Sequence, residues 1–294
     1  MTPRVSPWVA VALGILTGTV RPVAGTQEPV FRANADAVIL DVSVRSDGRP
    51  VTALTADDFQ VVDNGVPQQV DAASIESLPI DLTFVVDTSV EAEAHQRVAP
   101  FVDRIREIAG LLRAGDRARI LVDNSYVTEW SPSTPIPQGG GTSTYDAFVM
   151  ALVQPPTAGR RRLVIAFTEG VDYFSETKRS LVPAVAQRAD ALLYVVTAPV
   201  YRGGASNGVG HGALIVSQGA APLMEAARVT GGDVHALTTD VVASIKGILD
   251  DFRASYLLYY SPRGVERAGW HDLRVTMKKP GKYDVRARKG YVGG

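Results

Sequence analysis

Three short segments of this chain concentrate side-chain oxygens. Asp87-Thr88-Ser89-Val90-Glu91 follows the apolar run Ile80–Val86. Gly139-Gly140-Gly141-Thr142-Ser143-Thr144-Tyr145-Asp146 sets hydroxyls behind three glycines. Thr168-Glu169-Gly170 closes the run Leu163–Phe167. Carboxylates and hydroxyls without His or Cys form the donor set of a hard cation such as Mg²⁺, Mn²⁺ or Ca²⁺. The same residues have a plainer use. Asp87 and Ser89 could cap a following helix, with Glu91 at its positive end.

Other chemistries fare worse. The four histidines (His95, His211, His235, His271) are scattered and offer no i, i+4 zinc pair. The chain has no cysteine, which removes disulfides, thiolate metal sites and cysteine nucleophiles. No Gly-x-Ser-x-Gly elbow occurs, and no two carboxylates are paired by spacing for acid–base work. The Gly139–Gly141 run lacks the Lys-Ser/Thr of a phosphate-binding loop. Gly208-Val209-Gly210-His211-Gly212 has the wrong spacing for a dinucleotide loop. It reads as a surface loop overhanging the same edge as the oxygen-rich segments. Trp270 with Tyr256, Tyr259 and Tyr260 could stack on a sugar, but strand alternation around them favours core aromatics. A formal net charge of −1, without a basic run interleaved with aromatics, argues against nucleic acid as a partner.

Elements that could bring the three segments together are legible between residues 79 and 253. Short apolar runs at Ile80–Val86, Arg119–Val122, Leu163–Phe167 and Ala191–Val196 suit strands covered on both faces. Val98, Phe101, Val102, Ile105, Ala109 and Leu112 repeat at helical spacing, with Gly115 placed as a left-handed cap. Further helices are predicted at Ser143–Leu152, Lys178–Ala189, Ala221–Thr230 and Val241–Phe252. Alternating strands and helices imply an α/β fold, a doubly wound and mostly parallel sheet with helices on both faces. In such a sheet ligands gather at the strands' C-terminal ends, where all three segments would converge.

The flanks read as β-structure. Val38, Leu40, Val42 and Val44 alternate with Ile39, Asp41, Ser43 and Arg45, and Asp47-Gly48 and Asp63-Asn64-Gly65 are hairpin signals. Tyr256–Tyr260, Leu273-x-Val275-x-Met277 and Tyr283-x-Val285-x-Ala287 repeat the pattern at the other end. Residues 26–79 carry nine acidic and three basic side chains, net −6; residues 255–294 carry nine basic and three acidic, net +6. Neither flank is large enough to bury a core alone. A small β-sandwich made jointly by 26–78 and 254–294, with 79–253 inserted, accounts for both facts. Ahead of it, Arg4, the apolar run Trp8–Val20 and Val23-Ala24-Gly25 have the form of a signal peptide over residues 1–25, with cleavage before Thr26. The expectation is an exported protein, periplasmic or extracellular, with no membrane span in the mature chain.

The middle segment resembles a von Willebrand factor type A domain with its metal-ion-dependent adhesion site. That site is written Asp-x-Ser-x-Ser, a Thr in a Gly-rich loop, and an Asp in a Thr-Asp-Gly-like turn. Asp87, Ser89 and Thr142 match; Glu91 stands for the second Ser and Glu169 for the last Asp. Val51-Thr52-Ala53-Leu54-Thr55-Ala56-Asp57-Asp58-Phe59, Asp63-Asn64-Gly65 and the ending Arg286-Ala287-Arg288-Lys289-Gly290-Tyr291 are similar to exported bacterial von Willebrand factor A-related proteins. The resemblance implies a divalent-cation site at Asp87, Ser89, Glu91, Thr142 and Glu169. It further implies a protein partner offering an acidic side chain there, and no catalysis. A metal-independent assembly scaffold, and a hydrolase using the ion to activate water, are the competing readings.

Overall fold

Strand β6 organises the molecule. In the computed structural model, which describes residues 37–90, 98–197, 218–238 and 240–294, Ile80–Asp87 is buried at every position but Asp81. Five strands precede it: β1 (Val38–Ser46), β2 (Arg49–Pro50), β3 (Phe59–Asp63), β4 (Val66–Gln68) and β5 (Ala72–Ser74). The expected leader, Glu91, His95 and Gly208–Gly212 lie outside the described residues.

β6 is hydrogen-bonded in parallel to β7 (Arg117–Asp123) on one side and β9 (Arg161–Phe167) on the other. With β8 (Val127–Trp130), β10 (Leu192–Thr197) and β11 (Val234–Ala236) they form a six-stranded sheet in the order β11-β10-β9-β6-β7-β8. Only the β7–β8 pairing is antiparallel.

Alternate strand residues enter two cores. Phe84, Val86, Ile120, Ile165 and Tyr194 pack with α1 (Val98–Asp103), α2 (Ile105–Ala109) and α6 (Val241–Arg253). Val85, Leu121, Val164 and Leu193 pack with α3 (Thr144–Leu152), α4 (Leu181–Arg188) and α5 (Ala221–Thr230). Strands buried on both sides need no polar–apolar alternation, which explains their continuous apolar runs.

The helix predicted from Val98 through Leu112 is broken at Arg104 and stops at Ala109, well before Gly115. Asp116 accounts for the difference. Its carboxylate accepts the Ile80 amide at 2.8 Å, the Arg113 amide at 2.9 Å and Arg253 Nη2 at 2.8 Å. That requires a turn leading into β7, and Gly115 supplies its positive φ of 91°.

The flanking strands share two sheets. β12 (Tyr256–Tyr260) and β14 (Asp284–Ala287) pair with opposite edges of β1, while β13 (Gly269–Met277) lies between β3 and β15 (Gly290–Gly293). Leu40, Val42, Phe59, Val61, Tyr256, Leu258, Tyr260 and Leu273 form one core drawn from both ends of the chain. Asp63 is buried there with both oxygens met: His271 Nδ1 lies 2.8 Å from Oδ1, and Tyr260 and Tyr291 donate to Oδ2 at 2.9 and 3.0 Å. Tyr256 and Tyr260 are core aromatics as read from the pattern, whereas Trp270 is exposed and covers Gly290. Asp47-Gly48 and Asn64-Gly65 take the paired positive φ angles of tight hairpin turns.

The polar residues of β1 do not face solvent. Asp41 pairs with Arg161, whose guanidinium also reaches Ser255 Oγ at 2.6 Å and lies 4.0 Å over the Phe252 ring. Arg45 and Arg286 reach the two oxygens of Asp251 at 2.5 and 2.6 Å, and Tyr194 donates to it at 3.0 Å. A charged seam thus joins β1 and β14 to β9, β10 and α6. No helix among the described residues is long and apolar enough to cross a membrane.

Burial alone would raise the Asp251 carboxyl, but Arg286, with Arg45 and the Tyr194 hydroxyl, holds it below the ordinary range. A depressed carboxyl contributes stability above its unfolded pKa of about 4, and loses it as pH falls through the folded value. Asp251→Ala strands two arginines and should lower unfolding free energy by about 3 kcal/mol at pH 7. Denaturant melts should show that difference shrinking below about pH 4. A pH-independent difference would contradict the assignment.

Candidate functional site

The C-terminal ends of β6, β7 and β9 lie side by side because their register is parallel. Asp87 is directly opposite Asp123, the last residue of β7, and Val86 is opposite Phe167 of β9. Asp87 thereby comes to the same edge as Thr168 and Glu169, which follow β9.

The glycine-rich loop is laced onto both. Gly139 N donates to Thr88 O at 3.0 Å and Val90 N to Gly140 O at 3.2 Å, while Tyr173 and Phe174 amides donate to Thr142 O at 3.1 and 2.9 Å. Glycine is needed in this lacing. A Cβ on Gly141 would sit 2.1 Å from the Phe174 ring, and one on Gly140 would sit 2.5 Å from Ser125 Oγ, which accepts the Gly141 amide. The loops that carry Ser89 and Thr142 are thus hydrogen-bonded together, and Asp87, Ser89, Thr142 and Glu169 are all nearly or fully buried.

The edge is dense in oxygen. Asp87 Oδ1 accepts the Ser89 amide at 3.0 Å, the short turn expected of an Asp two residues before a Ser. Thr88, Ser89, Thr142 and Thr144 are each 0% exposed, as is Asp123. Thr144 Oγ1 lies 3.0 Å from both Asp123 Oδ2 and Val171 O. Asp123 Oδ1 and Thr142 Oγ1 have no hydrogen-bond partner among the described residues. Burial, and then the neighbouring Asp87 carboxylate, push the Asp123 carboxyl well above the usual range, with Thr144 opposing.

Asp146 and Asp172 play other parts. Asp172 Oδ2 accepts the Tyr145 amide at 2.8 Å at the start of α3, and Asp146 accepts the amides of Glu176 and Thr177. These two carboxylates satisfy backbone donors and hold the loop after β9 in place.

Asp123 was missed by sequence reasoning, yet a signal existed. Val122-Asp123-Asn124-Ser125 repeats the form of Val86-Asp87-Thr88-Ser89, and both follow strands of the same sheet. A hard cation fits this donor set. Among the described residues, however, no three carboxylates or imidazoles close into one metal-sized group. A cation here would rest on the Asp87–Asp123 pair completed by hydroxyl oxygens.

No protein-family model matches the chain, and no curated protein matches it. Solved structures do. A von Willebrand factor type A protein from Catenulispora acidiphila is similar at TM-score 0.44 and 10% identity, over 82% of this chain and 75% of that one. The SpRpn10 VWA domain is similar at TM-score 0.41 and 10% identity, over 57% of this chain and 93% of that one. An aerotolerance-related membrane protein from Bacteroides fragilis is similar at TM-score 0.42 and 18% identity, over 59% of this chain and 98% of that one. Proximal thread matrix protein 1 from the mussel byssus, with a zinc-occupied MIDAS motif, is similar at TM-score 0.45 and 12% identity, over 63% of this chain and 48% of that one. In the von Willebrand A pattern quoted above, Asp123 has no counterpart.

The end of β9 is held by close packing. Gly170 has φ 75°, and a Cβ there would lie 2.3 Å from Ala220 Cβ and 2.6 Å from Ala220 Cα. Tyr145 anchors the same turn by donating to Gly219 O at 3.0 Å. Gly170→Ala should therefore cost about 2 kcal/mol in denaturant melts. Gly159→Ala, with φ 71° and open space around its Cβ, should cost less. Equal losses would mean that the contact with Ala220 contributes nothing.

Proposed function

We propose that this chain is an exported, non-catalytic protein-binding module of the von Willebrand factor A-related kind. The doubly wound domain at 79–253 would be inserted in a β-sandwich built from 26–78 and 254–294. Its binding edge would use a divalent cation to accept an acidic side chain from a protein partner. One observation carries the reading: Asp123 Oδ1 and Thr142 Oγ1 are buried without partners among the described residues, at an edge shared with Asp87. Burying such groups without compensation costs several kcal/mol, which a cation would offset.

Asp87, Ser89 and Thr142 would hold the ion as in the resembled pattern, with Glu169 adjoining and Glu91 close in sequence. The bound ion supplies a Lewis-acidic centre for a partner's carboxylate. This chain's residues supply orientation, the glycine-laced loop and the exclusion of bulk water.

Mn²⁺ titration by calorimetry, followed by addition of a short Asp-containing peptide, tests the reading. The expected outcome is one ion per chain, peptide binding abolished by chelator, and at least a tenfold loss of Mn²⁺ affinity in Asp87→Ala. Peptide binding indifferent to chelator would favour the metal-independent scaffold instead. For export, N-terminal sequencing of secreted material should begin at Thr26. An intact Met1 in a membrane fraction would contradict cleavage.

A further inference from the structure

Away from this edge, the buried carboxylates among the described residues are satisfied on both oxygens. Asp63 has a histidine and two tyrosines, and Asp251 has two arginines and a tyrosine. Asp123 is equally buried, and among the described residues only its Oδ2 is met, by the Thr144 hydroxyl at 3.0 Å. Its strand register sets it opposite Asp87, so its other oxygen belongs to the same edge. Thr142 Oγ1, also fully buried and without a partner among the described residues, faces the same shortage. Two acceptors left over beside a second carboxylate are the arrangement a hard cation satisfies and an apolar core does not.

We infer that Asp123 is itself a cation ligand through Oδ1, with Asp87 and the Thr142 hydroxyl supplying adjoining oxygens and Thr144 positioning the carboxylate. This inference rests on the cation-edge reading and adds a ligand from a strand that the Asp-x-Ser-x-Ser pattern does not include. It also follows how the edge differs from that pattern. Where the pattern has a second Ser, this chain has Glu91, and β7 sets a carboxylate, Asp123, opposite Asp87. A second protein carboxylate on the ion would leave it more neutralised, and so a weaker acceptor of a partner's acidic side chain.

The test uses the whole protein, stripped of metal and titrated with MnCl₂, in wild type, Asp123→Asn, Thr144→Val and Asp87→Asn. Asparagine keeps the shape of Asp123 and an oxygen for Thr144, so melts in chelator should show no loss of stability. Asp123→Asn should weaken Mn²⁺ binding at least tenfold, and Thr144→Val by about threefold. At one fixed Mn²⁺ concentration the melting temperature of wild type should rise clearly more than that of Asp123→Asn. If Asp123→Asn binds Mn²⁺ as wild type does while Asp87→Asn does not, Asp123 is no ligand and the cation edge survives without it. If wild type takes up no Mn²⁺, both the ligand assignment and the cation edge fall.

Discussion

The parallel hydrogen bonding of β6 to β7 on one side and β9 on the other is the constraint on which everything else depends. Parallel pairing puts the C-terminal ends of successive strands at one edge, so residues distant in sequence become neighbours without any contact of their own. Asp87 meets Asp123 in this way, and the turn after β9 is brought to both. The burial of β6 on both faces, in two separate cores, makes the register rigid. A carboxylate on a loose loop would turn to water. These are held on strand ends and helix starts, and cannot.

The rest of the molecule supports that edge from behind. The charged seam runs from β1 and β14 to α6 and the start of β9, where Arg161 also pairs its amide with Pro79 O. The seam therefore sits among the N-terminal ends of the parallel strands, away from the carboxylate edge. Its charges are paired and partly buried, which makes breaking one partner costly. The opposite net charges of the two flanks meet where Lys279 of one reaches Asp58 of the other at 2.5 Å, while in the seam Arg286 and Arg45, one from each flank, share Asp251 of the α/β part.

Much of this was legible in the residues. Continuous apolar runs marked the central strands, and the hairpin signals at Asp47-Gly48 and Asn64-Gly65 fell on turns with the required positive φ. The strand ends that carry Asp87 and precede Glu169 lie side by side, and the glycine-rich loop before Thr142 is bonded to the first of them, as strand order and loop chemistry suggested. What was not legible depended on lateral pairing. Asp123 looked like the end of an ordinary strand until β7 was placed beside β6, and Asp41 and Arg45 looked like a solvated face until the seam covered them. The shortened helix before β7 had a similar cause. Asp116 satisfies the nearby Arg113 amide and two donors far away in sequence, from Ile80 and Arg253, and helical periodicity carries no trace of those.

The central claim is that the oxygens at this edge enclose a cation. Crystals soaked in Mn²⁺, with anomalous difference maps, test it most directly. The account predicts one anomalous peak at the edge, within direct coordination distance of Asp87 and Asp123 and next to the Thr142 hydroxyl. An edge without a peak at millimolar Mn²⁺, with Asp123 Oδ1 hydrogen-bonded to Asp87 through a shared proton, would contradict it.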